Sequence, residues 1–305
     1  MKDDGNYTTV LFPRIRLGAI DLMNKGAQMH IIHGLLEIDV TNARRYIREH
    51  KAMTGETLSF TAFIAACLAQ AVAENRMTHA YRDWRNRLIL FDDVDVNTMI
   101  EREAGGQKIG TPHIIRAANK KTFQEIHQEI RIAQTQPVAE NEFKGIEWYL
   151  RLPGWVRKLL WWILGRSPHL WKKYGGTVGI TAVGMFGNGI GWGIPICCNT
   201  LTLTLGGIAE KPGVADGRIE IREYLCVTIS IDHDIIDGAP AARFTARLKE
   251  LIESGYGLKQ DRLFQQRHTA GRVAGDTGSI KKEEPSSSEQ HKLDNLFDKT
   301  CRMTV

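Results

Sequence analysis

The stretch SIDHDIIDGAPAARF, from Ser230 to Phe244, sets one histidine, His233, between Asp232 and Asp234 and four residues ahead of Asp237-Gly238. An imidazole titrates near neutrality, so it can take a proton from a thiol or hydroxyl and return it. A carboxylate four residues on, Asp237, is the residue type that orients such a base. The flanking acids would favour a protonated ring if they lay near it, and a protonated ring is a poor base. A loop histidine with no chemical role is the plainer reading. Gly238, after Asp237, suits a tight turn or a close backbone approach.

The flanks say what holds this histidine. Leu225, Val227, Ile229 and Ile231 alternate with Tyr224, Cys226, Thr228 and Ser230, the period of a buried strand. Phe244, Leu248, Leu251 and Ile252 repeat at helical spacing. His233 therefore sits in a strand-to-helix connection, where a rigid scaffold can present a side chain. Upstream, Leu35–Thr41 reads as a strand feeding a helix near Thr41. LSFTAFIAACLAQAVAE reads as an amphipathic helix, with Phe60, Phe63, Ile64, Cys67, Leu68, Ala71 and Val72 on one face. Strands are expected at Leu88–Phe91, Val94–Glu101, Lys108–Arg116, Gly175–Thr181 and Asn199–Ile208. A capping box, Thr122 to Glu125, opens a helix to about Thr135. Asp216-Gly217 marks a hairpin turn.

The bulk numbers exclude several classes. The chain has 305 residues, 43% hydrophobic and 25% charged, with a net charge of +5, ordinary for a globular protein and weak grounds for nucleic acid. The cysteines are Cys67, Cys197, Cys198, Cys226 and Cys301. Their odd count and lack of a CxxC suit a reducing, cytoplasmic compartment, not a disulfide framework or a zinc site. The polar, acidic start MKDDGNYTTV shows no secretory signal, and no apolar run approaches the ~20 residues of a spanning helix. His30 and His33 lack ligand companions and read as surface or channel residues. Gly184–Gly193 lacks the Lys-Ser/Thr of a phosphate loop and reads as a loop over the active site. Residues 259–305 are polar with few aromatics and are expected to be mostly disordered, with HKLDNLF as a candidate docking helix.

In order, LLEIDVT, LILFDDVDVNTMIE, IGTPHIIRAANKKTFQEIHQEI, GGTVGITAVGMFG, LGGIAEKP and HDIIDGAPAARFTARLKELIE resemble blocks of one family, the catalytic domain of 2-oxoacid dehydrogenase acyltransferases. That family shares the chloramphenicol acetyltransferase fold. The resemblance runs from about Phe12 to Gly255. It implies an α/β two-layer sandwich with a mixed sheet and packed helices over residues 1–258. It implies a CoA-dependent acyltransferase in which His233 is the general base and Thr181 donates to the tetrahedral intermediate. Asp237 then makes a structural ion pair with Arg14 or Arg16. Coenzyme A or acyl-CoA is the implied substrate, with no metal, and the implied assembly is a homotrimer in which the His of one subunit faces the hydroxyl of its neighbour. Departures are Asp234 where the family has Arg, Cys197-Cys198 for Pro-Pro, and Thr181-Ala182 for Ser-Asn. No lipoyl or subunit-binding domain precedes the match, so a lipoyl group would come in trans. A noncatalytic scaffold and a lipid-facing binding protein are the rival classes.

One stretch lies outside the pattern. About residues 140–175, where the family has a short polar link, hold Trp148, Trp155, Trp161, Trp162 and Trp171, interleaved with Arg151, Arg157, Lys158, Arg166, Lys172 and Lys173. Such a stretch suits a peripheral contact of Trp148–Trp171 with the inner membrane face. The alternatives are a helix packed on its own domain or a neighbouring subunit, with Arg stems snorkelling, and a greasy lid over an acyl chain.

Overall fold

The computed structural model describes residues 7–104, 107–136, 140–183 and 189–258. The expected tail and part of the Gly184–Gly193 loop lie outside the described residues. The helices are α1 (Arg16–Gly26), α2 (Thr41–Thr54), α3 (Phe60–Glu74), α4 (Phe123–Thr135), α5 (Glu140–Arg151), α6 (Gly154–Arg166), α7 (Pro168–Gly175) and α8 (Gly238–Ser254). The strands are β1 (Ile31–Asp39), β2 (Tyr81–Arg82), β3 (Leu88–Ile89), β4 (Val96–Ala104), β5 (Gln107–Ile115), β6 (Val178–Ala182), β7 (Leu201–Ala215) and β8 (Arg218–Asp232). Six strands form one mixed sheet in the order β1-β8-β7-β6-β4-β5, with β6 parallel to both neighbours and the other pairs antiparallel.

The two faces of this sheet differ because the strands alternate. Leu201, Leu203, Leu205, Leu225, Val227, Ile229 and Ile231 are buried in one core with Phe63, Ile64 and Leu68 of α3, Ile126 and Ile130 of α4, and Phe244 and Leu248 of α8. The opposite face carries a cluster of buried hydroxyl residues, Thr202 and Thr204 of β7, Thr228 and Ser230 of β8, and Thr200 just before β7. Part of the segment between β6 and β7 packs there. Gly207 N donates to Gly191 O at 3.0 Å and Trp192 Nε1 to Leu36 O at 3.1 Å. A bulge between Leu205 and Ile208 makes room. A Cβ on Gly206 would stand 2.1 Å from Gly191 O, and one on Gly207 1.9 Å from Gly189 O.

Most expected elements are present, with revised edges. The capping box at Thr122 is complete, both reciprocal bonds being formed. Asp216 and Gly217 turn the β7–β8 hairpin with φ of 50° and 76°, the left-handed values a tight hairpin turn requires. The expected strand Leu88–Phe91 shrinks to β3, paired with β2 in a separate two-stranded sheet. The strand expected from Gly175 starts at Val178, because α7 runs to Gly175 and Gly176 leaves it at φ 73°. Helix α1, absent from the sequence reading, lies against α6.

The Trp-rich stretch is three helices, α5 to α7, tied to the domain by buried polar groups. Asp21 of α1 accepts from Tyr149 Oη at 2.5 Å and from Arg157 Nε at 2.9 Å, and Trp161 Nε1 donates to the same Tyr149 oxygen at 2.7 Å. Trp171 is buried, and Lys172 joins Arg116 on the buried Asp95 carboxylate.

Candidate active site

Strand β8 stops at Asp232, α8 starts at Gly238, and five residues turn between them. Asp232 N donates to Thr200 O and His233 N to His30 O, which pins the exit of β8 to β7 on one side and to the start of β1 on the other. With its backbone held at both ends, the His233 ring points into a half-open position, 46% exposed. The connection is short enough that packing of α8 on the core fixes where the ring stands.

The flanking acids are drawn away from the ring. Asp234 Oδ1 lies 3.0 Å from His30 Nδ1. Asp232 turns inward and accepts from Asp234 N at 3.1 Å, and burial raises its carboxyl above the usual range. Among the described residues the carboxylate paired with the ring is Asp237, whose Oδ1 is 3.9 Å from His233 Nδ1, beyond hydrogen-bond reach. Asp232 and Asp234 also line a cavity of about 150 Å³ with Lys25, Tyr81, Trp171 and Cys198. A small acceptor could approach the motif there.

Two expectations fail within the chain. Asp237 makes no ion pair with Arg14 or Arg16: its side chain is 86% exposed and both arginines are solvated at the start of α1. Gly238 is not crowded, since a Cβ there would meet nothing within 4 Å and its φ is not left-handed. Gly238 is simply the first residue of α8 after Asp237. His30 holds Asp234, and His33 Nδ1 lies 2.8 Å from Ser230 Oγ. The His30–Asp234 contact escaped the sequence reading because 204 positions separate the two residues.

Thr181 lies near the end of β6, half-buried, level with Thr204 of β7, which is level with Thr228 of β8. That register puts Thr181 two strands from β8 and five residues short of His233. At ordinary strand spacings the two Cα positions are roughly 19 Å apart. One chain therefore cannot bring its own Thr181 and His233 to the same reacting carbon. The free cysteines add no chemistry here: burial raises Cys198 to about 11 and Cys197 in the same direction, so both stay as thiols.

Residues 172–258, which carry β6, β7, β8 and α8, match the family model of the 2-oxoacid dehydrogenases acyltransferase (catalytic domain). The chain is 25% identical over 226 residues to a lipoamide acyltransferase component of the branched-chain alpha-keto acid dehydrogenase complex of Bacillus subtilis, covering 72% of this chain and 46% of that protein. It is 26% identical over 257 residues to a dihydrolipoyllysine-residue acetyltransferase component of the pyruvate dehydrogenase complex of Acholeplasma laidlawii, covering 82% and 42%. The chain thus spans about half the length of the curated relatives it matches. Among solved structures, the dihydrolipoamide acetyltransferase of Azotobacter vinelandii superposes with a TM-score of 0.60 at 20% identity, covering 84% of this chain and 95% of that one. A probable dihydrolipoamide acetyltransferase of Listeria monocytogenes gives 0.57 at 22%, covering 81% and 95%. These likenesses establish the chloramphenicol acetyltransferase-like fold, with its mixed six-stranded sheet. Within that fold, residues 172–258 are what resembles the catalytic domain of the 2-oxoacid dehydrogenase acyltransferases.

Proposed function

We propose that this domain moves an acyl group between a CoA thioester and a thiol or hydroxyl acceptor, with His233 as general base. The observation that carries the reading is the state of His233. Its backbone is pinned at the end of β8, its ring is open to a ligand, and the adjacent Asp234 is occupied by His30. A base that does not compete with a neighbouring carboxylate can take the acceptor proton as sulfur or oxygen attacks the thioester carbonyl. The oxyanion needs a donor, and the Thr181 hydroxyl supplies it from an adjacent subunit. The separation of Thr181 and His233 within one chain supports a trimer whose sites lie between subunits. A lipoyl group is the acceptor that the relatives' names suggest, and CoA as the acyl carrier follows from the resemblance.

The test is thioester turnover with a panel of acyl-CoAs and dihydrolipoamide as acceptor. His233→Ala is expected to lower turnover by ~10²–10⁴-fold while leaving the melting curve unchanged. Undiminished turnover would remove His233 from the mechanism. A second reading, a noncatalytic core subunit, is favoured by one observation: Asp237 lies exposed, with no arginine partner among the described residues. Wild-type protein that assembles but turns over no thioester would favour it.

A further inference from the structure

Helix α6 is oriented by its inner face. Arg157 reaches Asp21 and Trp161 reaches Tyr149, so the opposite side of the helix must face outward. That outward side is not polar. Trp155, Leu159, Trp162 and Ile163 recur at i, i+4, i+7 and i+8 and are all exposed, Trp155 at 71% and Trp162 at 55%. Trp148, at the end of α5, is exposed as well. An ordinary domain puts its charged residues outside and its tryptophans inside; α6 does the reverse across one stripe.

The charge of α6 itself has one sign, the nearest acids being Glu147, which pairs with Arg151, and Asp21, which is held by Arg157. No Asp or Glu occurs from Trp148 to Ala209. Lys158 and Arg166 are exposed at the rim of a groove between α6 and α1, beside the apolar stripe, and Arg166 stacks over the Trp162 ring at 4.3 Å. Among the described residues Lys158 and Arg166 have no carboxylate partner. Burying this face against protein would require a partner to bring acids to both cations. A leaflet of anionic headgroups supplies them everywhere, and the headgroup level is where tryptophan rings and snorkelling cations sit best. The helix has 13 residues, about 20 Å, too short to cross a ~30 Å core, and no helix among the described residues is long and apolar enough to span. It suits lying flat in the interface.

We propose that the outward face of α6, Trp155, Leu159, Trp162 and Ile163 flanked by Lys158 and Arg166, docks this domain on an anionic lipid leaflet. Docking is independent of the acyl-transfer chemistry, since none of these residues belongs to the His233 connection.

The test is flotation and tryptophan emission of the full chain with vesicles of phosphatidylcholine alone and of phosphatidylcholine mixed with phosphatidylglycerol. The wild type is expected to float with the mixed vesicles at low salt, with a blue shift, and to be released by high salt. Lys158→Gln/Arg166→Gln, a change of surface residues only, is expected to weaken binding by about 30-fold, at ~1 kcal/mol for each cation. Trp155→Ser/Trp162→Ser should abolish it, while Trp84→Ser, an exposed tryptophan elsewhere, should bind as the wild type does. Three results overturn the proposal: no flotation with mixed vesicles, equal binding to neutral ones, or binding that both double variants retain. Light scattering without vesicles gives a fourth. If Trp155→Ser/Trp162→Ser splits an oligomer, the face is a contact between copies.

Discussion

Thr181 on β6 and His233 just past the end of β8 stand two strands and five residues apart, roughly 19 Å, too far to act on one atom from the same chain. If the site forms between subunits, two inactive variants should repair each other. Thr181→Val alone is expected to slow turnover ~10²–10³-fold through loss of one oxyanion donor. Unfolding and refolding it together with His233→Ala places some intact His233 groups opposite intact Thr181 groups. Random assembly then restores roughly one quarter of wild-type activity, the fraction of heterologous interfaces with both groups. Mixtures no more active than their components would place the oxyanion donor elsewhere.

The Asp21 node predicts where the Trp-rich helices give way. Asp21 and Arg157 are both largely buried, and Tyr149 shares the carboxylate. Removing the acid leaves Arg157 desolvated without its partner, a loss of about 3–5 kcal/mol. Asp21→Ala is expected to unfold at lower urea and to expose Trp161, seen as a red shift in emission before the main transition. An unchanged urea midpoint would show that α6 is held by its apolar contacts alone.

His79 predicts a pH dependence. It is buried, its Nε2 donates to Phe91 O at 3.0 Å, and Lys172, Arg76 and Asp95 are the charged groups acting on it. Burial is the largest influence and lowers it from 6.5 to about 4, although the Phe91 carbonyl pulls the other way. The folded state therefore holds fewer protons than the unfolded one between those values. The stabilising contribution is complete above pH ~6.5 and is lost as pH falls toward 4. Urea titrations should show about 2 kcal/mol lost between pH 7 and pH 5 from this residue. His79→Gln should flatten that dependence; a slope equal to the wild type's would assign it to other groups.

Asp237 gives a prediction opposite to the one its motif suggests. A buried ion pair with Arg14 or Arg16 would make Asp237→Asn severely destabilising. The exposed carboxylate stands 3.9 Å from the His233 ring and has no arginine beside it among the described residues. Its replacement should change the stability of the isolated chain by no more than about 0.5 kcal/mol. Calorimetry of Asp237→Asn beside the wild type decides it, and a drop of several kcal/mol would mean an arginine reaches Asp237 from another subunit.

The sequence showed the strand into His233 and the helix after it because Leu225 to Ile231 alternate and Phe244 to Ile252 repeat at helical spacing. It showed Thr122 as a cap for the same reason: the signal lies within a few residues. What it hid are relations that only folding creates. Helix α1 has a weak apolar pattern because it faces helices and solvent rather than the sheet core, so RLGAIDLMNKG carries little periodicity. His30 meets Asp234 only once β1 lies beside β8. Among the five tryptophans, Trp171 is buried on α7 and Trp155 is exposed on α6, and nothing in the composition distinguishes them.

The crossing of the Gly189–Gly191 backbone over Gly206 and Gly207 has a consequence for the mutational tolerance of the domain. Strand interiors usually accept β-branched substitutes readily, and β7 is full of them. Here a methyl group at either position would occupy the space of a carbonyl oxygen, and no rotamer can relieve a clash that begins at Cβ. A library randomised across β7 and selected for folded protein should therefore drift freely at solvent-facing sites near the hairpin tip and return to glycine at these two. Two adjacent positions in the middle of a well-ordered strand thus act as a fixed point around which the rest of the strand can vary.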